Sequence, residues 1–130
     1  MWSSVFLILI ALLILFVIFP FPHPQPKVSK ERAAKIQMEM LTEGLRAFKL
    51  DTNKYPTTSE GLQALSVNPG VRGWQGPYIK FKEQKTIPDP WGRPYHYESP
   101  GSHGDYDLYS YGNDGQPGGT GKDADITSWK

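Results

Sequence analysis

Apolar residues are concentrated in one uninterrupted run near the start of the chain. Every residue from 5 to 19 is apolar, and the first charged side chain is Lys27. At a rise of about 1.5 Å per residue, a helix over residues 2–19 measures about 27 Å, close to the hydrocarbon core of a bilayer at about 30 Å. The pattern therefore predicts a membrane-spanning helix over residues 1–19.

Four prolines at alternate positions follow this run: Pro20, Pro22, Pro24 and Pro26. Each lacks a backbone N–H and disfavours the helical conformation of the residue before it, so residues 20–28 are predicted as a stiff, extended spacer. Residues 1–4 carry no Lys or Arg, and residues 20–26 contain no small-x-small cleavage site. An uncleaved anchor is therefore favoured over a cleavable signal peptide.

The rest of the chain, residues 29–130, has the charge density of a small soluble domain. Ser29 can cap a helix that runs to about Leu50, because apolar residues recur at spacings of four and three. These apolar residues are Ala34, Met38, Leu41, Leu45 and Phe48. Ile36 and Met40 are expected to widen the same apolar face.

Turn and strand signals follow the helix. Residues 57–60 (TTSE) form a capping box that predicts a short second helix burying Leu62 and Leu65. Strands are predicted over residues 78–81, 95–98 and 106–111, with a rigid turn at residues 88–92 and a long hairpin loop between the last two strands. The fold class expected is α+β, with one long helix packed on a small antiparallel sheet.

Composition removes several classes of function. The formal net charge is +1 and the basic residues are scattered, so the chain lacks the electrostatic footprint of a nucleic-acid-binding protein. The chain has no cysteine, which excludes disulfides, thiolate zinc sites and cysteine nucleophiles.

No catalytic set stands out. The three histidines lack metal-ligand spacing and fall in the spacer, a strand and a loop: His23, His96 and His103. Three acidic residues of the hairpin are interpreted as sheet-surface charges: Glu98, Asp105 and Asp107. We therefore expect a protein that is not an enzyme.

The glycine-rich segment 112–130 holds three aspartates, Asp114, Asp123 and Asp125. Ca²⁺ takes about six to eight oxygen ligands, and glycines let backbone carbonyls turn toward an ion. Asp123 and Asp125 project to the same side of an extended chain. From these residues alone a calcium site and a solvated turn both stay open, because the pattern is not that of an EF-hand.

Four motifs, in order along the chain, resemble the major pseudopilins of bacterial type II secretion systems, the general secretion pathway protein G family. The motifs are residues 55–65 (YPTTSEGLQAL), 89–95 (DPWGRPY), 109–119 (YSYGNDGQPGG) and 123–126 (DADI). The resemblance covers about residues 33–130.

The resemblance implies a type IV pilin-like fold, with the N-terminal helix in the inner membrane or filament core and residues 29–130 as a globular head in the periplasm. It implies a structural subunit that polymerises through the apolar helix into a pseudopilus that exports folded proteins. Its partners would be copies of itself, minor pseudopilins and the inner-membrane secretion platform. It also implies a structural Ca²⁺, held by the side chains of Asp114, Asp123 and Asp125 and by carbonyls near Tyr111 and Gln116.

Two features of the N-terminal region stand apart from the family pattern. The basic residues after the span would place the head in the cytoplasm by the positive-inside rule, whereas the family topology, which we expect here, places it in the periplasm. Residues 1–10 lack the family's basic leader, its Gly–Phe peptidase site and the Glu five residues into the mature chain. Either the natural start lies upstream, or the chain is an unprocessed paralogue. The missing Glu keeps an alternative function open, a membrane-anchored calcium-dependent binding module that does not polymerise.

Overall fold

The computed structural model describes residues 27–81 and 86–130. The predicted helix over residues 1–19 and residues 20–26 of the predicted spacer lie outside the described residues. Within the two described ranges, no helix combines the length and the apolar character that crossing a bilayer requires.

The long helix predicted after Ser29 is confirmed as α1, Lys30–Thr52. The Ser29 side chain accepts a hydrogen bond of 3.2 Å from the backbone N–H of Arg32, which is the N-cap contact that the sequence indicates. The helix ends at Asn53, whose left-handed backbone (φ 64°) turns the chain away while its N–H donates to the carbonyl of Lys49. Asparagine is one of the few non-glycine residues that tolerate this conformation.

One face of α1 forms the core, as the spacing of its apolar residues predicts. The buried members of this face are Ala34, Met38, Leu41, Leu45 and Phe48. The expectation that Ile36 and Met40 widen it is wrong, because the two side chains are 54% and 43% exposed. Each lies two residues beyond a buried position, and two steps of about 100° carry a side chain to the opposite side of the helix.

The predicted hairpin is confirmed as two antiparallel strands, β1 (His96–Glu98) and β2 (Asp107–Ser110), and a third strand, β3 (Ile126–Thr127), completes the sheet in the order β1-β2-β3. In the register of the sheet, Tyr97 lies opposite Leu108, and both side chains are buried in the core to which α1 contributes. The α+β architecture of one helix on a small antiparallel sheet is therefore present.

The sequence did not predict β3, since a two-residue strand carries no alternating pattern. The residue after it is held by two hydrogen bonds to β2: the Ser128 N–H donates to the Leu108 carbonyl, and the Leu108 N–H donates to the Ser128 side-chain hydroxyl. The C-terminal end of the chain is thereby fixed to the middle of the sheet.

The segment after α1 differs from expectation in two places. The second helix is one turn of 3₁₀-helix, Leu62–Leu65, and the predicted strand at residues 78–81 is wrong. The N–H groups of Tyr78 and Ile79 both donate to the carbonyl of Leu65, so this stretch is tied to the 3₁₀-helix rather than to the sheet. Ile79 packs so closely on α1 that a Cβ at Gly44 would lie 2.8 Å from its side chain.

Candidate metal-binding loop

A rigid turn at residues 89–93 lies under the C-terminal loop, which comprises residues 112–125. The turn is organised by Asp89, which is buried and whose Oδ1 accepts hydrogen bonds from the N–H groups of Trp91 (3.0 Å) and Arg93 (2.9 Å). The Asp89 N–H in turn donates to the Arg93 carbonyl at 2.7 Å. The carboxylate therefore closes the turn from inside the protein.

The same carboxylate reaches the start of the C-terminal loop through Ser110 at the end of β2. The Ser110 hydroxyl donates to Asp89 Oδ2 at 2.7 Å and accepts from the Gly112 N–H at 3.2 Å. Gly112 has a φ of 69°, and a Cβ there would lie 2.6 Å from the carbonyl oxygen of Ala124. Only glycine fits this close approach of the two ends of the loop.

The loop's three aspartates, singled out from the sequence, each accept a hydrogen bond. Asp123 Oδ1 accepts from the Asn113 side-chain amide at 2.8 Å, and Asp125 Oδ2 accepts from the Gly118 N–H at 2.8 Å. Asp114 Oδ1 accepts from the Gln116 N–H at 3.1 Å. Asp123 thus links the end of the loop to its beginning, Asp125 links the end to the middle of the loop, and the Asp114 contact closes a local turn.

Tyr111 and Gln116 flank the first turn of the loop. The ring of Tyr111 lies on the outer face of the sheet, with its centroid 4.5 Å from the ring of His96 and 5.4 Å from the ring of Tyr109. The resemblance to the pseudopilins implies that backbone carbonyls near these two residues would contact an ion.

The three carboxylates do not form one compact cluster in this structure. Among residues 27–81 and 86–130, no group of three or more His, Cys, Asp or Glu side chains is arranged to hold a metal ion. A calcium site at Asp114, Asp123 and Asp125 therefore stays a prediction.

One atom of the loop is suited to such an ion. Asp125 Oδ1 is buried and finds no hydrogen-bond partner in the described part of the chain, and a buried carboxylate oxygen without a partner is costly. The backbone also closes tightly, since a Cβ at Gly119 would lie 2.5 Å from the carbonyl oxygen of Asp123. The donors offered here are oxygens, which suit a hard cation such as Ca²⁺ rather than Zn²⁺.

A second polar cluster, which the sequence did not indicate, fixes the hairpin loop. Asp107 is 3% exposed, so its interpretation as a sheet-surface charge is wrong. It accepts hydrogen bonds from the N–H groups of Ser102 (3.1 Å) and His103 (3.0 Å) and contacts His103 Nδ1 at 2.8 Å. The His103 ring stacks on Trp129 with 4.0 Å between centroids, so it also ties the hairpin loop to the C-terminus.

Burial of Asp107 opposes its ionisation, but the hydrogen bonds from His103 and Ser102 outweigh burial and hold the pKa of the carboxyl below its usual value. The sequence signal for this cluster is slight: a histidine four residues before an aspartate, and a tryptophan at the penultimate position.

His96 is placed differently. It stacks on Tyr109, its register partner in β2, with 4.9 Å between centroids. Burial and the neighbouring Tyr111 and Glu98 raise the pKa of Tyr109 to about 12, so its hydroxyl stays neutral at physiological pH. Both histidines of the head are therefore engaged in ring stacking within the fold.

A long N-terminal helix on a small antiparallel sheet, closed by a C-terminal loop, defines a pilin-like head. A solved structure shares this architecture: the major pseudopilin of the type 2 secretion system of enterohaemorrhagic Escherichia coli aligns with a TM-score of 0.61 and 34% identity, over 77% of this chain and 82% of that one. The family model described as type II secretion system (T2SS), protein G matches residues 23–129, and the chain belongs to this family.

Two curated relatives named type II secretion system core protein G show the extent of the similarity. The Pseudomonas aeruginosa protein is 42% identical over 106 residues, which cover 78% of this chain and 72% of that protein. The Vibrio cholerae protein is 45% identical over 93 residues, which cover 68% of this chain and 61% of that protein. The chain is thus an envelope-associated structural subunit of the pseudopilin type.

Proposed function

We propose that this chain polymerises with copies of itself into a pseudopilus of a type II secretion system, and that this filament drives export of folded proteins. The observation that carries the proposal is the match of the pseudopilin family over residues 23–129, together with the pilin-like architecture of the head. Minor pseudopilins and the inner-membrane platform are the further partners proposed.

The apolar run at residues 5–19 supports an anchor and assembly role for the N-terminal segment. An apolar stretch of this length is stable only in lipid or against other apolar surface. We propose that it crosses the inner membrane once, with the head in the periplasm, and that it lies in the filament core after assembly.

The outer face of α1 supports assembly as well. Ile36 and Met40, one helical turn apart, are 54% and 43% exposed. Both residues lie in the first half of α1, which is the part of the helix nearest to the apolar run in the sequence. We propose that they are covered by a neighbouring subunit in the filament.

The polar networks of the head support a structural rather than an enzymatic role. Asp89 closes a turn and Asp107 fixes the hairpin loop, and each is engaged in hydrogen bonds inside the fold. We propose that the protein has no hydrolytic activity, and that replacing His96 or His103 alters stability only.

We further propose that the C-terminal loop binds one structural Ca²⁺ through Asp114, Asp123 and Asp125, with carbonyls near Tyr111 and Gln116. The buried, partnerless Asp125 Oδ1 among the described residues and the oxygen-only donor set support this ion. The positive charge of the ion would draw the three carboxylates together. The tight glycine turns of the chain bring the two ends of the loop close to each other.

The assembly proposal is tested with the full-length chain in detergent, followed by removal of the detergent and electron microscopy. The wild-type chain is expected to form regular filaments, and Leu9→Asp, which puts a charge in the apolar run, is expected to abolish them. Val67→Asp, at a head residue that is 65% exposed, is the matched control and should assemble normally. A wild-type chain that stays monomeric at every concentration contradicts the proposal and favours an anchored module that does not polymerise.

A further inference from the structure

The side chain of Arg93 connects the turn at residues 89–93 to the C-terminal loop. Its Nη2 donates to the backbone carbonyls of Gly112 and Asn113, the latter at 3.2 Å. These residues lie 19 and 20 positions further along the chain. Two consecutive carbonyls of the loop are thereby turned toward one guanidinium.

Gly115 shows how closely Arg93 packs on the first turn of the loop. Gly115 has a φ of 68°, and a Cβ at this position would lie 2.8 Å from Cζ of Arg93. The Nε of Arg93 is buried, and no hydrogen-bond partner for it exists within residues 27–81 and 86–130. The guanidinium is therefore seated against the turn at residues 112–115 rather than extended into solvent.

The backbone of Arg93 is itself immobilised. Asp89 Oδ1 accepts from the Arg93 N–H, and the Asp89 N–H donates to the Arg93 carbonyl. Asp89 is also bonded to Ser110, which accepts from the N–H of Gly112. The backbone of Arg93 and the N–H of Gly112, the first residue whose carbonyl Arg93 contacts, are thus both held through one buried carboxylate.

Among the described residues, Arg93 forms no ion pair with the aspartates of the loop. The ion pairs of the described residues involve Arg46, Lys49, Lys54 and His103, and Arg93 is in none of them. Its hydrogen bonds go to neutral carbonyls, and within residues 27–81 and 86–130 the carboxylates of Asp114, Asp123 and Asp125 take part in no ion pair.

We infer that Arg93 is a positioning residue for the proposed calcium site: it holds the turn at residues 112–115 in the shape that presents Asp114 and the Gln116 region to the ion. The inference rests on the proposed site and adds a residue from outside the C-terminal loop. Arg93 acts through the backbone and does not touch the ion. Partners that orient metal ligands typically contribute about 10- to 100-fold to metal affinity.

Two effects of Arg93 on calcium affinity have opposite signs. Its hydrogen bonds orient the loop, whereas its positive charge repels a cation. Arg93→Met removes both, and Arg93→Lys keeps the charge but loses the planar fork that can bond two carbonyls. If orientation dominates, both variants bind Ca²⁺ more weakly than wild type, whereas dominant repulsion makes Arg93→Met bind more tightly.

The experiment measures the Kd for Ca²⁺ by isothermal titration calorimetry on the full-length chain in detergent. We expect Arg93→Met to raise the Kd about tenfold or more, and Arg93→Lys to raise it by a smaller factor. Arg72→Met, at an exposed arginine, is the matched control and should leave the Kd unchanged. Melting in EGTA is recorded for each variant.

A purely structural role for Arg93 would lower the melting temperature in EGTA and leave the Kd at the wild-type value, which overturns the inference. An unchanged or lower Kd in Arg93→Met overturns it too. If Arg93→Met does not fold, the Kd of Arg93→Lys decides in the same way. If the wild-type chain binds no Ca²⁺, the calcium site itself is contradicted. If the wild-type chain and Arg93→Met bind Ca²⁺ equally well, the site stands and only the role of Arg93 is contradicted.

Discussion

The hydroxyl of Ser110 donates a 2.7 Å hydrogen bond to the carboxylate of Asp89 in the interior of the head. The contact joins the end of β2 to the turn at residues 89–93, and the same hydroxyl receives the N–H of Gly112. Both residues are buried, at 3% exposed for Asp89 and 0% for Ser110. The pairing therefore fixes where the C-terminal loop begins.

Ser110→Ala is expected to destabilise the head by about 1–3 kcal/mol, because it leaves Asp89 Oδ2 and the Gly112 N–H buried without a partner. The free energy of unfolding is measured by urea titration. Ser102→Ala, at an exposed serine of the hairpin loop, is the control and should change it by less than about 0.5 kcal/mol. Equal stability of the two variants would show that the Asp89 network contributes nothing.

Two leucines of α1 test the helix face. Leu45 is 0% exposed and Leu50 is 77% exposed. Leu45→Ala should cost about 2–5 kcal/mol by opening a cavity, whereas Leu50→Ala should cost less than about 0.5 kcal/mol. Chemical denaturation of both variants measures the difference, and a comparable loss at Leu50 would contradict the orientation of the helix.

Asp107 makes the stability of the head depend on pH. Since hydrogen bonds hold the pKa of this carboxyl below its unfolded value of about 3.9, its contribution is present above that value and is lost as the pH falls through the lowered pKa. The melting temperature of wild type should exceed that of Asp107→Asn above about pH 5, and the gap should shrink below about pH 4.

Asp105→Asn, at a carboxylate whose side chain is 71% exposed, serves as the control for this titration. Its difference from wild type should stay small across the range. A gap for Asp107→Asn that keeps its full size down to about pH 2 would contradict a lowered pKa of Asp107.

The exposed face of α1 is predicted to lie in a contact between subunits. Ile36→Glu should leave the melting temperature within about 1 °C of wild type, since Ile36 is 54% exposed, yet it should reduce filament formation severely. Val67→Glu, at a residue 65% exposed elsewhere on the head, is the matched variant. Equal filament yields from both variants would show that the outer face of α1 does not take part in the contact between subunits.

The helix and the hairpin could be predicted because each is specified locally. Ala34, Met38 and Leu41 repeat with the period of a helix, and Ser29 supplies its N-cap. The β1–β2 hairpin follows from alternation and from a turn-rich loop. These patterns depend on neighbouring residues and need no knowledge of distant contacts.

The segments that prediction missed depend on contacts between distant residues. Tyr78 and Ile79 resemble a strand but are tied to the carbonyl of Leu65, and β3 exists because Ser128 meets Leu108 across 20 residues. Burial of Asp107 likewise depends on a loop folding back over it. Hydrophobic periodicity does not indicate which distant residues pair. In these segments, tertiary contacts therefore override the local structural preference.

In the candidate site, the sequence identified the acidic residues of the loop and a rigid turn at residues 88–92, but not the hydrogen bonds that join the two. The glycine-rich segment and its aspartates are visible in composition, and the pseudopilin motifs name the same positions. The roles of Asp89, Ser110 and Arg93 follow only from their hydrogen bonds to one another and to Gly112. A buried network of this kind leaves no periodic signal.

The proposed calcium site would connect the fold of the head to its proposed role, because the ion would add a further link between the carboxylates of a glycine-rich loop. Extracellular calcium modules bind with a Kd of about 10⁻⁴ to 10⁻³ M, so Ca²⁺ at ten times the Kd adds about 1.4 kcal/mol to stability. For a domain of this size that amounts to several degrees in melting temperature.

The most direct measurement compares the melting temperature of the full-length chain in EGTA, in millimolar Mg²⁺ and in millimolar Ca²⁺, for wild type and for Asp125→Ala. We expect Ca²⁺ to raise the melting temperature of wild type by several degrees, Mg²⁺ to raise it little because it demands a tight octahedron, and Asp125→Ala to lose the response. A wild-type melting temperature that is the same in EGTA and in Ca²⁺ would contradict the calcium site.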